Sequence, residues 1–177
     1  MEKLPGDYIA GFVDGEGCFA LNFRRDVRHE RPGSPMYFYW KIIFAITLRS
    51  DDSAILESIQ NTLECGFISF TSNGSTINPH NSIRYQVSDM TDLMEKIVPF
   101  FDTYSLRAKK KYDFELWKQA LKILFKYKNK RKIATKGQQG FIKTSWDRED
   151  VSNLEDIALK MKSYKSLRSS WKWKVAE

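Results

Sequence analysis

Two runs of apolar–polar alternation joined by one loop constrain this chain most. In Cys18–His29, Phe19, Leu21 and Phe23 point one way, while Ala20, Asn22, Arg24, Asp26 and Arg28 point the other. Glu30–Met36 holds two prolines and a glycine, the chemistry of a hairpin loop. Tyr37–Thr47 alternates again, with Phe38, Trp40, Ile42, Phe44 and Ile46 on one face and Tyr39, Lys41, Ile43 and Ala45 on the other. A second hairpin is expected from Gly66–Thr71 and Ser82–Ser88, across the turn-rich Ser72–Asn81. There Ile68, Phe70, Ile83, Tyr85 and Val87 face in, and Ser69, Thr71, Arg84 and Gln86 face out.

Helical signals surround these hairpins. Tyr8–Glu16 reads as a short helix, with Pro5 and Asp7 as start signals and Gly17 as a stop. Ser50–Ser53 caps a helix to about Leu63, with Ile55, Ile59 and Leu63 at helical spacing. Asp89–Phe101 and Leu106–Tyr127 follow, the latter with Phe114, Trp117, Leu121, Leu124 and Phe125 inward. Arg148–Met161 is also helical in pattern. The order is α-β-β-α-β-β-α with further helices. It predicts an α+β fold: one antiparallel four-stranded sheet with helices on one face. Residues 1–145 form the core of this reading, and 146–177 a basic helical extension packed on or continuing it.

The uncovered sheet face then carries Asn22, Arg24, Arg28, Tyr39, Lys41, Ser69, Thr71, Arg84 and Gln86. Such side chains donate and accept at base edges and phosphates. Charge points the same way. The chain has 177 residues and a formal net charge of +7. The first 100 residues hold nine Lys and Arg against thirteen Asp and Glu, and the rest hold twenty against nine. A polyanion is the natural partner for that excess. The basic connector Lys126–Gly140, with Lys128 and Lys130, is expected to touch phosphates without reading sequence.

Met1–Asp7 is polar, so no signal peptide is expected, and no organelle presequence stands out. No apolar run approaches the ~20 residues of a membrane span, so no membrane partner is expected. Cys18 and Cys65 lack metal-like spacing and read as free thiols in a reducing compartment. His29 and His80 lie in or beside loops and read as surface residues.

The first helix is odd. Gly11 and Gly15 each weaken it by roughly 1 kcal/mol relative to Ala. They stand four apart, on one face, where a second helix could approach backbone to backbone. The segment Ile9–Gly17 reads IAGFVDGEG, with glycines at its third and ninth positions and acids at its sixth and eighth. It resembles the LAGLIDADG motif of homing endonucleases, and the chain holds one copy. Tyr8 and the strand start Cys18–Phe19 also look like that family.

The resemblance implies a saddle-like sheet, DNA cleavage and a divalent cation. It implies that Glu16, the eighth motif residue, is the catalytic acid and a metal ligand, with the Gly15 carbonyl as a backbone ligand. Asp14 is then structural or interface-lining. One motif per chain predicts an isologous homodimer through Gly11 and Gly15. Two Glu16 carboxylates brought together repel unless metal bridges them. Oxygen donors suit Mg2+, or Mn2+ or Ca2+ in its place. The resemblance also implies a basic residue near the head of the fourth helix, Arg107 or Lys109, reaching the site. Lys110 and Lys111 are assigned to a solvated basic helix start or a phosphate anchor. Relatives often carry a glutamine at the end of the second strand, where this chain has Leu48. Thr47 or Arg49 could take over.

The expected function is therefore a homodimeric, metal-dependent endonuclease cutting both strands of a long pseudo-palindromic duplex. The expected location is intracellular, in a prokaryotic cytoplasm or an organelle, with an intron as the gene's expected setting. The alternatives are an RNA-binding maturase that assists splicing and a non-catalytic DNA-binding regulator. The retained Glu16 argues against the regulator.

Overall fold

The computed structural model describes residues 3–27, 29, 33, 34, 36–71, 82–128 and 146–166. Helix α1 (Gly6–Glu16) runs directly into strand β1 (Gly17–Val27). The junction needs glycine. A Cβ on Gly17 would lie 2.5 Å from Val13 Cγ1 and 2.8 Å from the Val13 carbonyl oxygen, which accepts the Gly17 N–H.

Strand β2 (Met36–Arg49) returns antiparallel to β1, with Gly17 opposite Ile46 and Val27 opposite Met36. A 3-10 turn, Ser50–Asp52, leads to α2 (Ser53–Leu63), which buries Leu56, Ile59 and Leu63. Strands β3 (Phe67–Thr71) and β4 (Ser82–Val87) complete the sheet in the order β1-β2-β4-β3. Every pairing is antiparallel. The expected α+β layering with a four-stranded antiparallel sheet is thus the observed one.

Helix α3 (Met90–Asp92), a π turn (Leu93–Ile97) and α4 (Val98–Thr103) follow without a break. Asp89 caps the start, its carboxylate accepting from the N–H groups of Thr91 and Asp92. Pro99, which has no N–H to give the preceding turn, sits just past the π turn. Helix α5 (Lys110–Lys126) packs on β1 and β2, and α6 (Arg148–Ser166) packs along α5.

The core is aromatic at its centre. Phe19 packs against Phe44, Phe101, Phe114 and Trp117, with ring centroids 5.1–5.6 Å away. Ile43 lies one residue past the end of the β2–β4 ladder, and its carbonyl accepts from the Trp117 indole N–H at 3.1 Å. Leu154, Ile157 and Met161 of α6 join the same cluster. Asp150 accepts from the Tyr127 hydroxyl and the Lys126 ammonium. These contacts tie α6 to the end of α5.

Four expectations need correction. The fourth helix begins at Lys110 rather than Leu106, and the backbone N–H groups of Arg107 and Ala108 just before it are held by Asp14. Phe23 and Phe38, expected inward, are 57% and 58% exposed. They keep their side of the sheet, but β4 reaches only to Phe44, so beyond it the β1–β2 ribbon is two-stranded. Phe70, also expected inward, is 70% exposed on the short edge strand β3. Ile43 and Ala45, placed on the polar face, are buried there.

Candidate active site

Ile9, Ala10 and Val13 pin one side of α1 to the core. Its other side is bare. Gly11, Gly15 and Glu16 are exposed, and a Cβ on Gly11 or Gly15 would meet nothing within 4 Å. The close approach that would explain two helix-weakening glycines is therefore not made by any of the described residues. Asp7, Gly11, Asp14, Ser105 and Arg107 line a hollow beside that face.

Glu16 is the last residue of α1, and its carboxylate makes no hydrogen bond or ion pair with any described residue. Asp14 differs. Its Oδ2 accepts from the backbone N–H of Arg107 at 2.7 Å and of Ala108 at 3.1 Å. Its Oδ1 is buried without a partner among the described residues. Asp14 thus anchors the segment that leads into α5, the structural role expected of it.

That anchor determines which basic residue reaches the motif. Arg107 serves the loop through its backbone, and Lys109 is exposed at the helix start. Lys110 turns inward, its Nζ donating to the carbonyl oxygens of Gly15, at 3.3 Å, and Gly17. This differs from the solvated helix start or phosphate anchor that the sequence pattern suggests for Lys110. Removing the anchor should be measurable. Asp14→Ala is expected to cost about 1–3 kcal/mol, since two N–H groups lose their acceptor. Urea unfolding would read this as a lower midpoint, and an unchanged midpoint would deny the anchor any net role.

The face of the sheet away from the helices follows the register. Asn22 stands opposite Lys41, and Arg24 opposite Tyr39. Thr47, Arg84 and Ser69 form one row across three strands. Arg84 donates to Gln86 Oε1 at 3.2 Å and reaches Thr47 Oγ1 at 3.5 Å, so its guanidinium lies along the face. Arg49 turns aside to pair with Asp51 at 2.8 Å. Phe67, 49% exposed, interrupts the polar surface. The Thr71 and Arg28 side chains, His80 and Lys130 lie outside the described residues. Lys128 sits over the Phe125 ring, 5.6 Å from its centroid. Cys18 and Cys65 are free thiols. Burial raises the Cys65 thiol above its usual range, and the Tyr85 hydroxyl beside it donates to the Cys65 carbonyl at 3.0 Å.

A divalent cation can be weighed against these donors. Among the described residues no group of three or more His, Cys, Asp or Glu converges. One chain supplies one carboxylate and backbone carbonyls, all hard oxygen donors of the kind Mg2+ and Ca2+ take. The Lys110 ammonium on Gly15 and Gly17 marks those carbonyls as turned toward positive charge. The donors fit, but as half of a site.

Residues 9–121 match the model of the LAGLIDADG endonuclease family. The chain is 33% identical over 135 residues, 75% of its length, to "Uncharacterized 50.9 kDa protein in ND4 intron 1" of Podospora anserina, covering 26% of that protein. It is 30% identical over 129 residues, 71% of its length, to "Probable intron-encoded endonuclease 2" of Neurospora crassa, again covering 26%. The chain thus spans about a quarter of the length of these relatives. Among solved structures, I-SmaMI bound to uncleaved DNA with calcium ions superposes with a TM-score of 0.67 at 21% identity. That match covers 91% of this chain and 46% of the other. The homing endonuclease I-TnaI gives a TM-score of 0.64 at 20% identity, covering 95% and 99%.

Proposed function

The chain belongs to the LAGLIDADG endonuclease family, and on that premise we propose that it cuts both strands of a long, pseudo-palindromic DNA duplex as a metal-dependent homodimer. The observation that carries this reading is Glu16: a carboxylate with no partner among the described residues, at the end of a helix whose glycine face none of them covers. A second copy, related by two-fold symmetry, is the occupant that face fits. The solved relative I-SmaMI, described with DNA and calcium ions, supports duplex DNA and a divalent cation as partners. The intron-encoded relatives of Neurospora crassa and Mycosarcoma maydis support an intron setting inside an organelle.

In this reading Glu16 and the Gly15 carbonyl would hold Mg2+, whose chemistry there would be activation of water and stabilisation of charge at a scissile phosphodiester. Asp14 fixes the Arg107–Ala108 segment, and Lys110 holds the carbonyls at the end of α1. Asn22, Arg24, Arg28, Tyr39, Lys41, Ser69, Thr71, Arg84 and Gln86 face the major groove, where each base pair has its own donor–acceptor pattern. Incubation with a randomised duplex library and Mg2+, followed by sequencing of cut ends, tests the proposal. Cutting of RNA alone, or of nothing, would defeat it.

Arg84 offers a finer test. Its guanidinium is already oriented by Gln86 and Thr47. Arg84→Ala should cost about 1–3 kcal/mol and relax preference at one base pair in each half-site. A one-base-pair substitution scan of the selected site reads this directly. Equal weakening on every sequence would make Arg84 a phosphate anchor instead.

A further inference from the structure

Lys110 stands at an electrostatically odd place. It is the first residue of α5, the positive end of a helix dipole, where a cation is disfavoured. Its ammonium reaches the opposite kind of terminus, the end of α1. There the Gly15 carbonyl is one of the last four in its helix and has no intrahelical acceptor role to fill. Lys110 donates to it and to the Gly17 carbonyl together. Asp14, bound to Arg107 and Ala108, fixes the approach of Lys110 from two residues upstream.

We infer that the Lys110 ammonium is a built-in cation that holds the carbonyls at the end of α1 and competes with the divalent ion for Gly15. The inference rests on the metal-dependent reading above and adds a positioning residue to it. A positive charge already bonded to a ligand oxygen opposes the arrival of a doubly charged ion through direct repulsion. The ion gains Gly15 only when the ammonium withdraws. The same ammonium keeps both carbonyls turned outward while no ion is bound. Lys110 therefore lowers the affinity for free metal while preserving the geometry of the ligand.

The test is Mn2+ binding to the full-length chain without DNA, followed by electron paramagnetic resonance of free Mn2+. Lys110→Met should bind Mn2+ about three- to tenfold more tightly than the unaltered chain, by loss of one nearby positive charge. Lys110→Arg keeps the charge and should bind as the unaltered chain does. Thermal melts of each variant establish that it is folded. If Mn2+ binding depends on Glu16 but Lys110→Met binds equally or more weakly, the competition is overturned and the metal site stands. If Glu16→Gln leaves Mn2+ binding intact, or no variant binds Mn2+, the metal reading itself falls and this inference with it.

Discussion

Glu16→Gln is expected to abolish duplex cleavage while leaving duplex binding within about tenfold, ~1.4 kcal/mol. The substitution keeps the shape and removes the charge. Because the Glu16 carboxylate has no partner among the described residues, its loss breaks nothing in the fold. A neutral amide oxygen is a far poorer ligand for a hard dication than a carboxylate. The sheet face that would bind the duplex is built from other residues on other elements, so affinity should survive. Gel-resolved cleavage with Mg2+ and fluorescence anisotropy on the same duplex separate the two effects. Undiminished cutting would remove Glu16 from the mechanism, and lost binding would make it a DNA contact.

The second large effect is expected from Gly11→Leu, which should separate the subunits and end double-strand cutting together. Within one chain the position is open, since a Cβ meets nothing within 4 Å. A leucine there also suits an isolated helix better than glycine, by nearly 1 kcal/mol. The monomer should therefore fold at least as well as before. A second helix packed backbone to backbone on that face has no room for an isobutyl group. Sedimentation velocity should find a species near the 20.8 kDa chain mass for the variant and twice that for the unaltered chain. An active monomer carrying one motif would defeat the dimer proposal, and a variant that melts earlier would show that Gly11 serves the fold.

The strand pattern was readable because alternation is a local signal. Phe19, Leu21, Phe44 and Tyr85 fall on the buried side, as their spacing requires. Alternation assigns a side, however, and cannot say whether anything covers it. That is why Phe23, Phe38 and Phe70 were placed inward and stand exposed. The Lys110 contact had no local signature at all. It joins residues more than ninety positions apart and stands beside the equally distant Asp14 contacts, neither of which a local pattern shows. The motif acids were distinguishable in the sequence only through family resemblance. In the structure their difference is physical: Asp14 is engaged by backbone donors and Glu16 is not.

The two-stranded part of the β1–β2 ribbon has a bearing on how such a protein can change over generations. Beyond the buried pair Leu21 and Ile42 it carries an aromatic stack of its own, with Phe23 5.7 Å from Phe38 and 5.2 Å from Trp40. No backbone of the four-stranded body hydrogen-bonds to it there. Segments so loosely coupled open at lower free energy than the body they extend from. The ribbon can therefore drift in length and side chains while the motif helix, its glycine junction and the aromatic centre stay fixed. On the proposed function, such drift would bring new duplex sequences within reach without loss of the fold.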